Sequence, residues 1–365
     1  MSRSSPPNQP IKGRGAASRR EGRFEVRTVE AVDDGWARTP DDTDAEPDKP
    51  ATEVSFEQAR SIITRNNSPD VGFGQSINPI RGCEHGCAYC FARPTHSYLG
   101  LSPGLDFETK LIAKQNAAER LREELRRPGY RVQPIALGIN TDAYQPVEKR
   151  LGITRALLEI LHETRHPVSI VTKGSLVLRD IDLLADMARQ NLAQVFVSVT
   201  TLDNQLSSKL EPRATAPHTR LKMIHALSEA GVPVGTLVAP VIPAINDAEI
   251  ERILEAVREA GAAAAGYVLL RLPHELKELW REWLTLHYPD RADHVTSLIR
   301  QMRGGKDYVS EFGTRMRGTG PFAELIAQRF RRAHRRLGFG ELPPVDISLF
   351  RPPAAIGDQA DLFGA

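Results

Sequence analysis

Arg81-Gly82-Cys83-Glu84-His85-Gly86-Cys87-Ala88-Tyr89-Cys90-Phe91 holds all three cysteines of the 365-residue chain, spaced Cys83-x3-Cys87-x2-Cys90. Thiolate is a soft donor that suits both zinc and iron–sulfur clusters. Three thiols inside eight residues, with none elsewhere, point to a metal centre and not to a disulfide framework. A closed site needs a fourth ligand that one copy of the chain does not supply as cysteine. Two readings follow. In one, His85 or His96 completes a structural zinc site. In the other, Cys83, Cys87 and Cys90 ligate a 4Fe–4S cluster whose fourth iron is left open to something that is not protein.

The stretch that enters the loop, Ser76-Ile77-Asn78-Pro79-Ile80, reads as a short strand. Beyond the loop, strands and helices alternate. Further strands are expected at 134–139, 168–171, 195–200, 234–239 and 267–272, with helices over 109–127, 154–164, 180–190 and 217–230. Asn246-Asp247-Ala248-Glu249 reads as a capping box opening a helix with Ile250, Ile253, Leu254 and Val257 on one face. Six alternating strands predict a parallel α/β architecture. Its continuous apolar runs, such as 168–171 and 195–199, fit strands buried on both faces. Sites in such folds lie at the carboxyl ends of the strands. The cysteine loop follows the first strand, so it belongs there.

Outside this core, over 51–272, the patterning changes. Residues 1–50 are rich in Pro, Ser, Gly and charge, first basic (Arg14, Arg19, Arg20, Arg23, Arg27) and then acidic (Asp33 to Asp48), which predicts a disordered tail. Within it, Gly22 to Arg27 alternates enough for a short docking strand. Ser55 to Ile63 is expected to form a helix. A helical C-terminal extension is expected over 273–345, with helices at 276–286, 295–302 and 321–337, and a tail over 346–365. On the last helix Phe322, Leu325, Ile326, Phe330, Ala333 and Leu337 share one face, and Arg331, Arg332, Arg335 and Arg336 lie elsewhere.

Hydrophobic residues make up 41% of the chain, enough for a substantial core, and the net charge is +2, so any basic surface for a polyanion must be local. No apolar run approaches a membrane span, the N-terminal residues lack a signal-peptide core, and clustered cysteines fit a reducing compartment. A cytoplasmic protein is expected.

Polar residues recur at the predicted strand ends. Thr141 and Asp142 sit in the loop Asn140 to Glu148, where they hold an amino group, orient a substrate, or make an Asx-turn. Lys173 ends the third strand, where a buried ammonium is costly unless it meets an anion. Ser198 reaches a ribose or a backbone carbonyl. Glu211-Pro212-Arg213 reads as a loop, with an exposed ion pair of little energy as its plain alternative.

The cysteine spacing resembles the cluster loop of the radical SAM superfamily. Together with Thr141-Asp142-Ala143-Tyr144-Gln145-Pro146, Thr172-Lys173, Ser198, Glu211-Pro212-Arg213, Pro240-Val241-Ile242-Pro243 and Asn246-Asp247, it resembles the branch containing spore photoproduct lyase and the DNA repair photolyase-like proteins. The resemblance covers about 76–272 and implies a partial (βα)6 TIM-type barrel. It implies a 4Fe–4S cluster on Cys83, Cys87 and Cys90, with S-adenosylmethionine (SAM) on the open iron, cleaved reductively to a 5′-deoxyadenosyl radical. It implies that Tyr89 seats the adenine, Lys173 meets the methionine carboxylate and Ser198 the ribose, with Thr141, Asp142 and Arg213 as further cofactor-binding candidates. A flavodoxin- or ferredoxin-type reductant is implied as partner; the outward arginine face of Arg331, Arg332, Arg335 and Arg336, together with the family analogy, makes nucleic acid the expected polyanion partner. Spore photoproduct lyase also uses an extra cysteine after the second strand as hydrogen donor. Here that stretch reads Gly138-Ile139-Asn140-Thr141-Asp142, Tyr144 is the nearest substitute by position, and the lyase reaction is not expected. The competing class is a non-catalytic iron–sulfur or zinc module that binds nucleic acid; the Lys173 and Ser198 pair speaks against it.

Overall fold

A parallel return between neighbouring strands needs a crossover of a dozen or more residues, and in this chain helices supply it. The computed structural model describes residues 9–24 and 50–354. Its first elements are β1 (Glu53–Glu57), β2 (Ile63–Arg65), β3 (Gln75–Ile77), β4 (Ile80–Arg81), α1 (Asp106–Thr109), β5 (Lys110–Lys114) and α2 (Ala117–Arg126). The repeating units follow: β6 (Ile135–Leu137), α3 (Glu148–Leu151), α4 (Ile153–Glu163), β7 (Val168–Thr172), α5 (Ile181–Arg189), β8 (Ala193–Ser198), α6 (Asn204–Leu210) and α7 (Pro217–Glu229). The chain continues with β9 (Val234–Val241), α8 (Ile250–Glu259), β10 (Ala264–Leu269), α9 (Leu276–His287), α10 (Ala292–Gln301) and α11 (Pro321–Arg336).

One sheet runs β10-β9-β8-β7-β6-β3-β2. Every pairing from β3 to β10 is parallel, and β2 lies antiparallel on β3 at the edge. These six parallel strands with their helices form the partial barrel. A small second sheet, β1-β5-β4, lies beside the cysteine loop.

Along β7 and β8 side chains alternate with a period of two. Val168, Ile170, Val195 and Val197 are fully buried in the main core between sheet and helices. Ser169, Val171, Gln194 and Phe196 point the other way and are half-buried, so the expectation of burial on both faces is corrected. The interior of the barrel is a cavity, not a second core. Helix α11 packs Ile326 and Phe330 into the main core, and its Arg329 pairs with Glu251 of α8. Leu325, expected on that buried face, is 48% exposed.

Several local expectations are corrected. The helix over 55–63 is absent; Glu53–Glu57 alternates as β1 and pairs in parallel with β5. Residues 110–114 are strand because Leu111 and Ala113 repeat every second residue, and the helix begins only at Ala117. The capping box does not form. Asn246 accepts from the Ile242 amide at 2.6 Å and donates to Thr200 O and Pro240 O, while Glu249 binds Thr201 and the Leu202 amide. Both side chains are spent on tying the ends of β8 and β9 together.

The expected tails are described only in part, at residues 9–24 and 346–354. Residues 9–24 lie on the domain: the Gly15 and Ala16 amides donate to Glu108, Ser102 Oγ donates to Arg20 O, and the Arg23 amide meets Glu275. Residues 346–354 follow the base of the sheet, with the Asp346 amide on Asn191 O and Phe350 against Tyr130 and His166. The acidic run 33–48, residues 25–27 of the alternating stretch, and residues 355–365 lie outside the described residues. Among the described residues no helix is long and apolar enough to cross a membrane.

Inside the barrel a Cβ on Gly235 would stand 2.4 Å from the Phe196 ring. Gly235→Val should therefore overpack the interior and cost about 1–3 kcal/mol. The measurement is urea unfolding, with a lower midpoint expected at unchanged slope.

Candidate active site

The loop from Gly82 to Phe91 has almost no regular structure, so its backbone groups are satisfied from outside. Cys83 N donates to Phe107 O at 2.9 Å and Ala88 N to Leu210 O at 2.9 Å. Gln145, fully buried, accepts from the Glu84 amide at 2.8 Å and donates to Gly82 O at 3.1 Å. Arg93, also fully buried, donates to Cys87 O, Gly86 O, Pro103 O and Gly104 O and pairs with Glu108 at 2.5 Å. Gly86 has φ +64°, and a Cβ there would stand 2.6 Å from Glu108 Oε2. This position needs glycine for both reasons. Glu108 in turn holds Gly15 and Ala16, so residues 14–16 cover the loop on the side away from the barrel.

The other side of the loop faces a cavity of about 1210 Å³ at the carboxyl ends of the strands. Cys83, Cys87, Cys90, Tyr89, Asp142, Lys173 and Ser198 all line it. Thr141 and Arg213 do not. Thr141 Oγ1 donates to Ile80 O at 2.5 Å, and Arg213 bridges Glu84 at 2.9 Å and Thr52 at 3.1 Å, so both brace the loop from behind.

Asp142 is saturated. Oδ1 accepts from the Tyr144 amide and Thr172 Oγ1; Oδ2 accepts from the Lys173 amide at 2.7 Å and lies 3.4 Å from His85 Nδ1. Burial raises its pKa, but His85 and the backbone donors outweigh this and hold the carboxyl down at about 2. Lys173 differs. Its Nζ stands 5.9 Å from the Tyr89 ring centre, with no carboxylate within 4 Å among the described residues. Burial opposes its charge, but Cys87 and Glu211 outweigh burial and raise its pKa.

Glu211, for which an exposed pair was the plain alternative, is 2% exposed and pairs with the equally buried Arg220. Tyr89 Oη donates to the same carboxylate, and Thr200 Oγ1 does so at 2.7 Å. Burial again raises the Glu211 pKa, and Arg220 and Lys173 outweigh it, leaving it at about 2. The sequence singled out Tyr89 and Glu211 within their motifs, but carried no signal that they meet, or that Thr200 and Arg220 join them. Tyr144 is buried in the main core and does not line the cavity.

The donor set fits a cluster. Burial pushes all three thiols up, Cys87 to about 12, so the thiolates need a metal's charge to form. Among the described residues no group of three His, Cys, Asp or Glu is gathered as a single ion requires. Thiolates on separate irons of a cluster need no such convergence. The histidines of the zinc reading are engaged elsewhere, His85 with Asp142 and His96 with Lys110 O.

Residues 77–257 match the model of the Radical SAM superfamily. An uncharacterized protein of Mycobacterium tuberculosis is 37% identical over 253 residues, 68% of this chain and 74% of its own. The chain belongs to the radical SAM superfamily. An uncharacterized protein of Methanocaldococcus jannaschii is 27% identical over 235 residues, covering 64% of this chain and 83% of the relative. A variant of spore photoproduct lyase with bound AdoMet and dinucleoside spore photoproduct shares the fold, with a TM-score of 0.56 at 14% identity over 78% of this chain and 80% of the lyase. The protein is thus a radical SAM enzyme, for which the family implies a 4Fe–4S cluster, SAM and an external reductant.

Arg93 is the side chain on which the loop's outer carbonyls depend. Arg93→Leu should leave Glu108 buried and uncompensated, at a cost of about 3–5 kcal/mol. The check is the unfolding midpoint of the metal-free protein together with iron bound after reconstitution; both should fall.

Proposed function

We propose that this radical SAM enzyme binds SAM between the cysteine loop and the ends of β7 and β8, and modifies a nucleic acid that enters the same cavity. Lys173 takes the methionine carboxylate, Ser198 the ribose and Tyr89 the adenine, while Asp142 holds the loop that presents Lys173. A cluster held there by Cys83, Cys87 and Cys90 would supply an electron, drawn from an external reductant, for the reductive cleavage of SAM. The chain's own share is to hold, orient and exclude water. Supporting Lys173 in this role, its ammonium faces the cavity without a protein carboxylate.

The observation that carries the substrate class is the charge of the cavity lining. Arg60, Arg65, Arg81, Lys114, Lys173, Arg271 and Arg315 line it; Arg81 is paired with Glu57 and Arg315 with Asp70, which leaves five cations against Asp142 among the described residues. In a chain of net charge +2 this is a strong local excess, suited to a polyanion. The volume of about 1210 Å³ also exceeds the usual 300–1,000 Å³ of a small-molecule site. Aromatic rings interleave with the cations: Phe73, Phe91 and Tyr98 line the cavity, and Arg271 lies 5.1 Å over Phe91. Cations for phosphates with rings for bases make a single-strand platform.

The arginines of α11 would extend this contact. Arg331 and Arg335 line a second groove with Arg317, Arg332 is exposed, and Arg336 is drawn to Glu255 at 2.5 Å. The reductant would be a flavodoxin- or ferredoxin-type protein.

Anaerobic reconstitution with iron and sulfide should load about four irons, and dithionite should then release 5′-deoxyadenosine from SAM. Lys173→Ala should weaken SAM binding about tenfold or more, the loss of one charge-assisted hydrogen bond, with cluster content unchanged. Unchanged affinity by calorimetry would remove Lys173 from the SAM site.

Single-stranded DNA and RNA should bind with a steep salt dependence, and a variant with Arg60, Arg65 and Arg271 all changed to Gln should bind less tightly with a shallower slope. An identical slope in wild type and variant would remove nucleic acid as the cavity's substrate class.

A further inference from the structure

The stretch from Leu210 to Arg220 is no part of the cavity lining, yet it reaches each residue assigned above to SAM. Leu210 O accepts from Ala88 N at 2.9 Å, fixing the centre of the cysteine loop. Glu211 receives Tyr89 Oη and Thr200 Oγ1 on one oxygen and Arg220 on the other. Arg220 donates to Ser198 O at 3.0 Å and to Thr215 O at 2.7 Å, and the Thr215 amide donates to Lys173 O at 3.3 Å. Three residues from three different segments of the chain thus share one buried ion pair.

We infer that the Glu211–Arg220 pair is the positioning device of the cofactor site: it aims Tyr89, Ser198 and Lys173 at one ligand and keeps Glu211 from capturing Lys173. This rests on the SAM site proposed above. Its physical basis is competition for one carboxylate. A buried carboxylate draws whatever cation is nearest, and Lys173 Nζ lies 5.9 Å from the ring centre of Tyr89, whose hydroxyl is on Glu211. Arg220 occupies Oε2, and Tyr89 and Thr200 occupy Oε1, so Lys173 is left without an anion of its own. The ammonium then remains available to an incoming carboxylate. With Arg220 removed, Lys173 becomes the nearest cation to a carboxylate that must be neutralised. The site would close on itself.

A buried pair that served stability alone would show none of this competition, and a variant series separates the two roles. SAM affinity is measured by anaerobic calorimetry on reconstituted wild type, Lys173→Ala, Glu211→Gln, Arg220→Met and the double variant E211Q/R220M. Each is accompanied by iron content, a melting curve, and the change in the cluster's EPR signal on adding SAM. Arg220→Met should weaken SAM binding tenfold or more, because Glu211 is freed to take Lys173. Glu211→Gln should cost only a few-fold. The double variant should bind SAM more tightly than Arg220→Met, since it no longer carries the competing carboxylate. If Arg220→Met does not fold, Tyr89→Phe replaces it: the ring is kept, one donor to Glu211 is lost, and a few-fold weakening is expected. SAM affinity equal to wild type in Glu211→Gln and in Arg220→Met (or Tyr89→Phe), alongside a loss in Lys173→Ala, overturns this inference and leaves the SAM site standing. An unchanged Lys173→Ala overturns both.

Discussion

The whole molecule turns on one buried guanidinium. Arg93 has no exposed surface, and its donors meet four backbone carbonyls, two of them within the cysteine loop. The loop that presents the three thiols forms neither helix nor strand, so its peptide groups must be met by something else. Arginine suits this because its planar fork fixes several acceptors at once and stays charged. The charge then has to be matched. Glu108 does this, and its remaining acceptor capacity takes the amides of Gly15 and Ala16. A single electrostatic requirement therefore runs from the cysteine loop through Arg93 and Glu108 to the N-terminal segment. It explains why a stretch of glycine, serine and arginine lies in place although it has little apolar area to bury.

The same logic repeats on the inner side of the loop. Arg220 and Glu211 are to the cavity what Arg93 and Glu108 are to the outer cover: a buried pair whose spare hydrogen-bonding capacity is spent on backbone carbonyls and on Tyr89. Such pairs add little net stability, because desolvation offsets the attraction. Their value lies in geometry. Each joins segments far apart in sequence, and together with Gln145 they hold the loop at fixed height above the strand ends.

This division also marks what could be read from the sequence. The thiols, the strand alternation and the polar residues at strand ends were legible, because spacing and periodicity are local properties. Cys83, Cys87, Cys90, Tyr89, Asp142, Lys173 and Ser198 do meet around one cavity. Thr141 and Arg213 were legible as important positions, but their side chains turn away from the cavity to Ile80 and Glu84. Glu108 and Arg220 were not legible, and Gln145 and Glu211 were legible only as members of quoted motifs, with no role attached. Each looks like an ordinary charged or polar residue until the fold brings its partner from a distant segment. The contacts of residues 9–24 were not legible for a related reason: composition reports whether a segment buries apolar area, and this one is held by hydrogen bonds to a carboxylate.

The cavity limits the chemistry that the chain itself contributes. All three cysteines lie in the loop, so no thiol remains elsewhere in the sequence to hand a hydrogen atom to a substrate. Tyr144 is enclosed in the core. The phenols that line the cavity are Tyr89 and Tyr98. The hydroxyl of Tyr89 is committed to Glu211, which leaves its ring as the surface it offers to a ligand. Tyr98 is 69% exposed and lies 5.2 Å from Phe24, with Arg23 over both rings. That is the arrangement of a contact surface, where stacking needs an accessible face, and a proton or hydrogen donor would instead be enclosed. The residues around this cavity are therefore specialised for holding: charge for phosphate or carboxylate, rings for planar groups, and buried pairs for alignment. The reactivity belongs to what they hold.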